Sequence, residues 1–90
     1  MEKLKKYRRK LFKIDEEIIR LLGKRMKISS KIGILKNEND LDIEQNEFWN
    51  ESSVIRKQTS ESYNLSTGFI EELFLLIHQE SIKVQRGQTD

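Results

Sequence analysis

Cysteine and proline are both missing from this 90-residue sequence, and histidine occurs once, as His78. Without cysteine there is no disulfide, no thiol nucleophile and no thiolate metal site. A lone histidine cannot build an imidazole metal cluster or a relay of any length. The lack of proline leaves long helices uninterrupted. No run of about 18 uncharged apolar residues exists, so no membrane span is expected. Asp15, Glu16 and Glu17 stand where a signal peptide would need its apolar centre. So short a chain buries a modest share of its surface, and with disulfides and metals set aside, association is the remaining way to enlarge the core. We therefore expect a cytoplasmic helical protein with no metal.

What is present in quantity is charge, and it is unevenly placed. Residues 1–37 hold 13 lysines and arginines against 4 acidic residues, whereas residues 38–90 hold 4 against 11. That asymmetry suits an anionic ligand, or pairing of the two parts with each other. The densest basic run is Lys3, Lys5, Lys6, Arg8, Arg9, Lys10 and Lys13. A solvated helix face accounts for most of it. A nucleic-acid footprint would need a recognition motif or an aromatic-interleaved groove, and the sequence has neither; no nucleic-acid partner is expected.

Apolar residues recur from Leu4 at alternating steps of three and four: Leu4, Tyr7, Leu11, Ile14, Ile18, Leu21, then Ile28, Ile32 and Leu35. This is a coiled-coil-like seam, and it predicts one helix over about residues 3–37. At about 1.5 Å per residue such a helix is roughly 50 Å long, more than a globule of this size can cover. It needs a partner. Phe12, Ile19, Leu22 and Ile34 widen the stripe toward what a bundle requires. Residues 37–42 read as a loop. A second helix is predicted over about 43–60, starting after Asp42 with Gln45 in a capping-box relationship. A third is predicted over about 66–86, capped by Ser66 or Thr67, with a stripe of Ile70, Leu73, Phe74, Ile77, Ser81, Val84 and Gln85.

Polar residues that interrupt these stripes carry the functional signal. Arg25 is the one seam position that is not apolar. A buried, unpaired guanidinium is costly, so an anion should face it: an acidic residue of the second or third helix, or a ligand. Ser81 and Gln85 lie one turn apart on the third helix's stripe. Lys36 lies eleven residues beyond Arg25, three turns on and near the same face.

The runs Tyr7-Arg8-Arg9-Lys10-Leu11, Ile14-Asp15, Leu21-Leu22, Arg25, Ile32-Gly33 and Lys36, together with Ile77 to Gln85, resemble the all-helical chorismate mutases. The resemblance covers about residues 4–86. It implies an all-α fold: a three-helix protomer with one long N-terminal helix, intertwined as a homodimeric bundle and forming a single domain over 1–90. It implies chorismate as substrate, no cofactor, and a place in aromatic amino acid biosynthesis. It also implies that Arg25 and a partner-donated Arg8 hold the substrate's two carboxylates, that Lys36 and Gln85 reach the ether oxygen, and that Ser81 assists at a carboxylate. An ungapped register puts Gln45 where a polar residue contacts the ring hydroxyl. A two-residue slip would offer Glu47 instead, and Gln45 also has its reading as a helix cap. In the same register Trp49 and Phe48 stand where the family commonly has Glu and Arg. Trp49 is read as core or pocket wall, and His78 as surface packing without a catalytic role. Helix geometry agrees with a shared site, since Arg8 and Arg25 are about 25 Å apart along one helix. An isochorismate–pyruvate lyase on the same fold, or a non-catalytic helical module, are the competing functions.

Overall fold

The computed structural model describes residues 1–87, in which three α-helices follow one another: α1 over Glu2–Glu38, α2 over Asn46–Ser62 and α3 over Thr67–Gln85. Helix α1 sets the longest dimension of the molecule, 57 Å against 28 and 16 Å. Glu2 in its first turn and Lys36 in its last complement the helix dipole. The chain leaves it through Asp40, whose φ of 53° lies in the left-handed region that Asp tolerates.

Helix α2 begins later than the predicted residue 43, and the capping box of Asp42 with Gln45 does not form. Gln45 is itself the N-cap residue, in extended backbone, and its side chain makes no capping bond. The segment before it is held against α1. Lys36 Nζ reaches forward to donate to the carbonyl oxygen of Ile43 at 2.6 Å. That bond ties the connecting segment to the end of α1, with Ile43 half-buried, and the helix starts beyond it. The helix then continues to Ser62, two residues past the expected end, before Asn64 turns the chain at φ 58°. Helix α3 is capped as predicted by Ser66, whose Oγ accepts from Phe69 N at 3.3 Å, and ends at Gln85 just inside the expected limit.

Helix α3 is the central element, packing on α1 and on α2, while α1 and α2 share no close backbone approach. It runs parallel to α1, with Ser81 opposite Ser29 and Gln85 opposite Gly33. It runs antiparallel to α2, with His78 facing Trp49 and Glu71 facing Ser53. The approach of α1 to α3 depends on Gly33: a Cβ there would lie 2.6 Å from Gln85 Cα and overlap the Gln85 carbonyl. Only hydrogen can occupy that space.

The interior is thin. Ile70 and Ile82 are the buried apolar residues among those described, and Ser29, Ser60 and Ser81 are buried beside them. Ile82 is absent from the predicted α3 stripe, whereas the predicted Leu73 is 37% exposed. Along α1 the apolar seam is uncovered, from 38% exposed at Ile32 to 58% at Leu35. Nor do the basic and acidic parts of the chain pair extensively with each other. Among the described residues the ion pairs are Arg20 with Glu17, inside α1, and Arg86 with Glu44 at 3.2 Å. No described helix is long and apolar enough to cross a membrane.

Candidate functional site

Parallel packing of α1 and α3 puts the polar residues of both helices on the two sides of one cleft, about 320 Å³ in volume. Arg25, Ile28, Ser29, Ile32 and Lys36 line it from α1, and His78, Ser81, Ile82 and Gln85 from α3. Ile43, Gln45 and Phe48 close the third side. Arg25 and Lys36 recur three helical turns apart, so they mark the cleft's two ends.

A line of hydrogen bonds organises the Lys36 end. Lys36 Nζ donates to Gln85 Oε1 at 2.8 Å, which turns the Gln85 amide nitrogen toward Ser81 Oγ at 3.2 Å. Ser81 Oγ and Ser29 Oγ share a hydrogen bond of 2.7 Å in the buried seam between the helices. Gln85 is thereby held with its carbonyl on the ammonium. Burial lowers the Lys36 pKa from its ordinary value. Two oxygens, those of Ile43 and the Gln85 side chain, face its ammonium.

Arg25 stands differently. No carboxylate among the described residues pairs with it, so the salt-bridge reading finds no partner here. Its pKa is lowered, first by burial and then by the charge of Arg56. Arg56 lies behind the cleft with its guanidinium carbon 4.4 Å from the Trp49 ring centre and 5.0 Å from that of Phe74. Its Nε and Nη2 are buried without a hydrogen-bond partner. Arg25 therefore stands at one end of the cleft without a counter-charge, and an anion arriving there would offset its repulsion with Arg56.

Of the residues singled out from sequence, Arg25, Lys36, Gln45, Ser81 and Gln85 share this cleft. Arg8 does not. It lies on the exposed first half of α1, about 25 Å along the helix from Arg25. Glu47 faces elsewhere, into a larger, more open hollow of about 580 Å³ with Asp40, Asp42, Glu44 and Glu51. That ring of carboxylates would repel a dianion. Phe48 lines the cleft, whereas Trp49 turns away from it and packs on His78, ring centres 4.5 Å apart. His78 is the main correction. Expected as surface packing, it is half-buried and lines the cleft, because Trp49 backs one face of its ring. Sequence reading also missed Ser29. Its signal was the Ser29–Gly33 spacing, two small residues one turn apart where another backbone comes close.

Comparison with known proteins supplies the remaining observations. A bifunctional chorismate mutase/prephenate dehydratase of Aquifex aeolicus (strain VF5) is 46% identical over 43 residues, which make up 48% of this chain and 12% of that protein. No solved structure matches the chain significantly. The family model for chorismate mutase type II matches residues 7–86, a span that takes in α2, α3, the cleft and all but the first residues of α1. On that match, with every cleft residue inside it, the chain belongs to the chorismate mutase type II family.

Proposed function

We propose that the protein is an isomerase that converts chorismate to prephenate, working as a homodimer in which each cleft is completed by Arg8 of the second chain. The observation that carries this reading is the division of the cleft into two ends. One has unpaired guanidinium charge at Arg25; the other has an ammonium and an amide locked together at Lys36 and Gln85. A small dicarboxylate whose reacting ether lies away from a carboxylate fits that division.

The rearrangement is intramolecular: one carbon–oxygen bond breaks as one carbon–carbon bond forms, with no nucleophile and no obligatory proton transfer. The protein must hold the folded conformer in which the two reacting ends meet. Arg25, Ser81 and the second chain's Arg8 bind carboxylates, and Gln45 reaches the ring hydroxyl. As the carbon–oxygen bond lengthens, negative charge grows on the ether oxygen. Lys36 as cation and Gln85 as amide donor stabilise that charge more than the ground state. Gln85 can donate there with the second N–H of its amide nitrogen, the first being held by the Ser81 hydroxyl.

Incubation with chorismate and product identification test the reading directly, with prephenate expected. Pyruvate and salicylate from isochorismate would assign a lyase, and a folded dimer inert to both would assign a non-catalytic module. Losing one transition-state donor typically costs about 3–4 kcal/mol. Lys36→Ala should therefore lower kcat by roughly 10²–10³-fold while the dimer remains folded, and near-normal turnover would remove Lys36 from the chemistry.

A further inference from the structure

Three polar side chains of α3 face the cleft, and the proposed function uses only two of them. His78, Ser81 and Gln85 follow at steps of three and four, so they form one strip along the helix. The parallel register between α1 and α3 fixes which end each one serves. Ser29 lies opposite Ser81 and Gly33 opposite Gln85, a constant offset that sets Arg25 level with Ile77 and His78. The imidazole thus belongs to the end where guanidinium charge is unpaired, away from Lys36.

Resting on the dicarboxylate reading above, we propose that His78 is a further substrate-contacting residue of this cleft, supplying an imidazole N–H to the carboxylate bound at the Arg25 end. The ring is built for a fixed position. Trp49 stacks on it at 4.5 Å, tilted by 38°, and Arg56 in turn covers the Trp49 ring. An aromatic pair of this kind leaves the ring little freedom to turn away. Its edge is then a pre-oriented donor beside Arg25.

Charge around the ring gives the contact a pH dependence. Burial lowers the His78 pKa most; Glu44 of the α1–α2 connection raises it; Arg25 and Lys36 of α1 and Arg56 of α2 lower it. Together these influences favour the neutral ring at pH 7 in the protein alone. A bound carboxylate reverses the balance, favours the imidazolium and raises the pKa. By linkage, affinity strengthens as pH falls through the raised pKa of the complex and levels off below the depressed pKa of the free protein. Substrate carboxylates, with ordinary pKa values near 4, stay ionised over that range.

The sequence contains one histidine, so a single imidazole resonance reports the site in the full chain. The experiment measures kcat and KM with chorismate between pH 5.5 and 8 for the wild type, His78→Leu and His78→Gln, alongside NMR titration of the wild-type imidazole with and without saturating prephenate. We expect the wild-type kcat/KM to rise about tenfold from pH 8 to 5.5, and the imidazole pKa to move upward with prephenate bound. His78→Leu should raise KM about tenfold, keep kcat within about threefold and flatten the profile. His78→Gln should recover most of KM, with the profile still flat. A structural role alone would leave the slope intact. An unchanged KM and slope in both variants, or an imidazole pKa indifferent to prephenate, overturns the contact while leaving the proposed reaction standing. A wild-type protein that does not turn over chorismate overturns both.

Discussion

The two halves of α1 are built from the same apolar repeat but live in different surroundings. From residue 22 onward the helix has α3 beside it: Ser29 and Gly33 are buried, Arg25 and Lys36 are half-buried, and every α1 residue of the cleft is found here. From Glu2 to Leu21 every residue is exposed, including Leu4, Tyr7, Leu11, Ile14 and Ile18. One chain supplies neighbours for half of its longest helix. At roughly 25 cal/mol per Å² of apolar surface, covering the other half is the largest stabilisation still open to this molecule. The same bare half carries Arg8, and the covered half ends in a cleft with unpaired cationic charge. A second α1 laid antiparallel, crossing near Ile18 to Leu21, would cover the seam and bring Arg8 to that cleft in one arrangement.

The contrast predicts opposite outcomes for substitutions on the same helix. Ile18→Asp has the largest expected effect. Within one chain Ile18 is 51% exposed, and a surface substitution of that kind normally shifts stability by about 0.5 kcal/mol or less. At the crossing of two helices it would bury a carboxylate on each chain, and sedimentation should show monomers with turnover lost. A dimer of unchanged affinity would mean the seam is not the interface.

Gly33→Ala comes next. Its methyl group has no room against the Gln85 backbone, so α3 must shift and carry Gln85 away from Lys36. Overpacking of this kind costs about 1–3 kcal/mol, visible as a lower urea midpoint and reduced kcat. Arg25→Leu separates binding from stability. KM should rise at least tenfold, while stability should hold or increase by up to about 1 kcal/mol, because burial and Arg56 both oppose the guanidinium. A clear stability loss would reveal a protein anion paired with Arg25. The smallest effect belongs to Gly23→Ala. Nothing lies within 4 Å of the added methyl, and exchanging Gly for Ala inside a helix should raise stability by about 0.5–1 kcal/mol. A loss there would place the second chain against Gly23.

The division between what the sequence disclosed and what it hid follows the range of the interactions. Helix α1 was legible because its repeat runs over residues 4–35 with Arg25 as its one polar position, and the start of α3 because Ser66 is a local cap. Arg25, Lys36, Ser81 and Gln85 stood out as polar interruptions of apolar stripes, and they share one cleft. The start of α2 was hidden because the segment before it is tied to a lysine seven residues upstream of Ile43. His78 was hidden for a related reason: its neighbour Trp49 lies on another helix, and no pattern within α3 marks the pair.

Mixing two defective chains tests the shared site most directly. Arg8→Ala and Arg25→Ala proteins should each be nearly inactive alone. In a mixed dimer the Arg25→Ala chain still donates Arg8 to a cleft whose own Arg25 is intact, so one of its two sites is whole. Random pairing makes half of the dimers mixed, and the mixture should regain about a quarter of wild-type activity. Recovery to that level is what cross-chain completion predicts; activity no greater than the average of the two separate proteins, with exchange of chains confirmed, would contradict it.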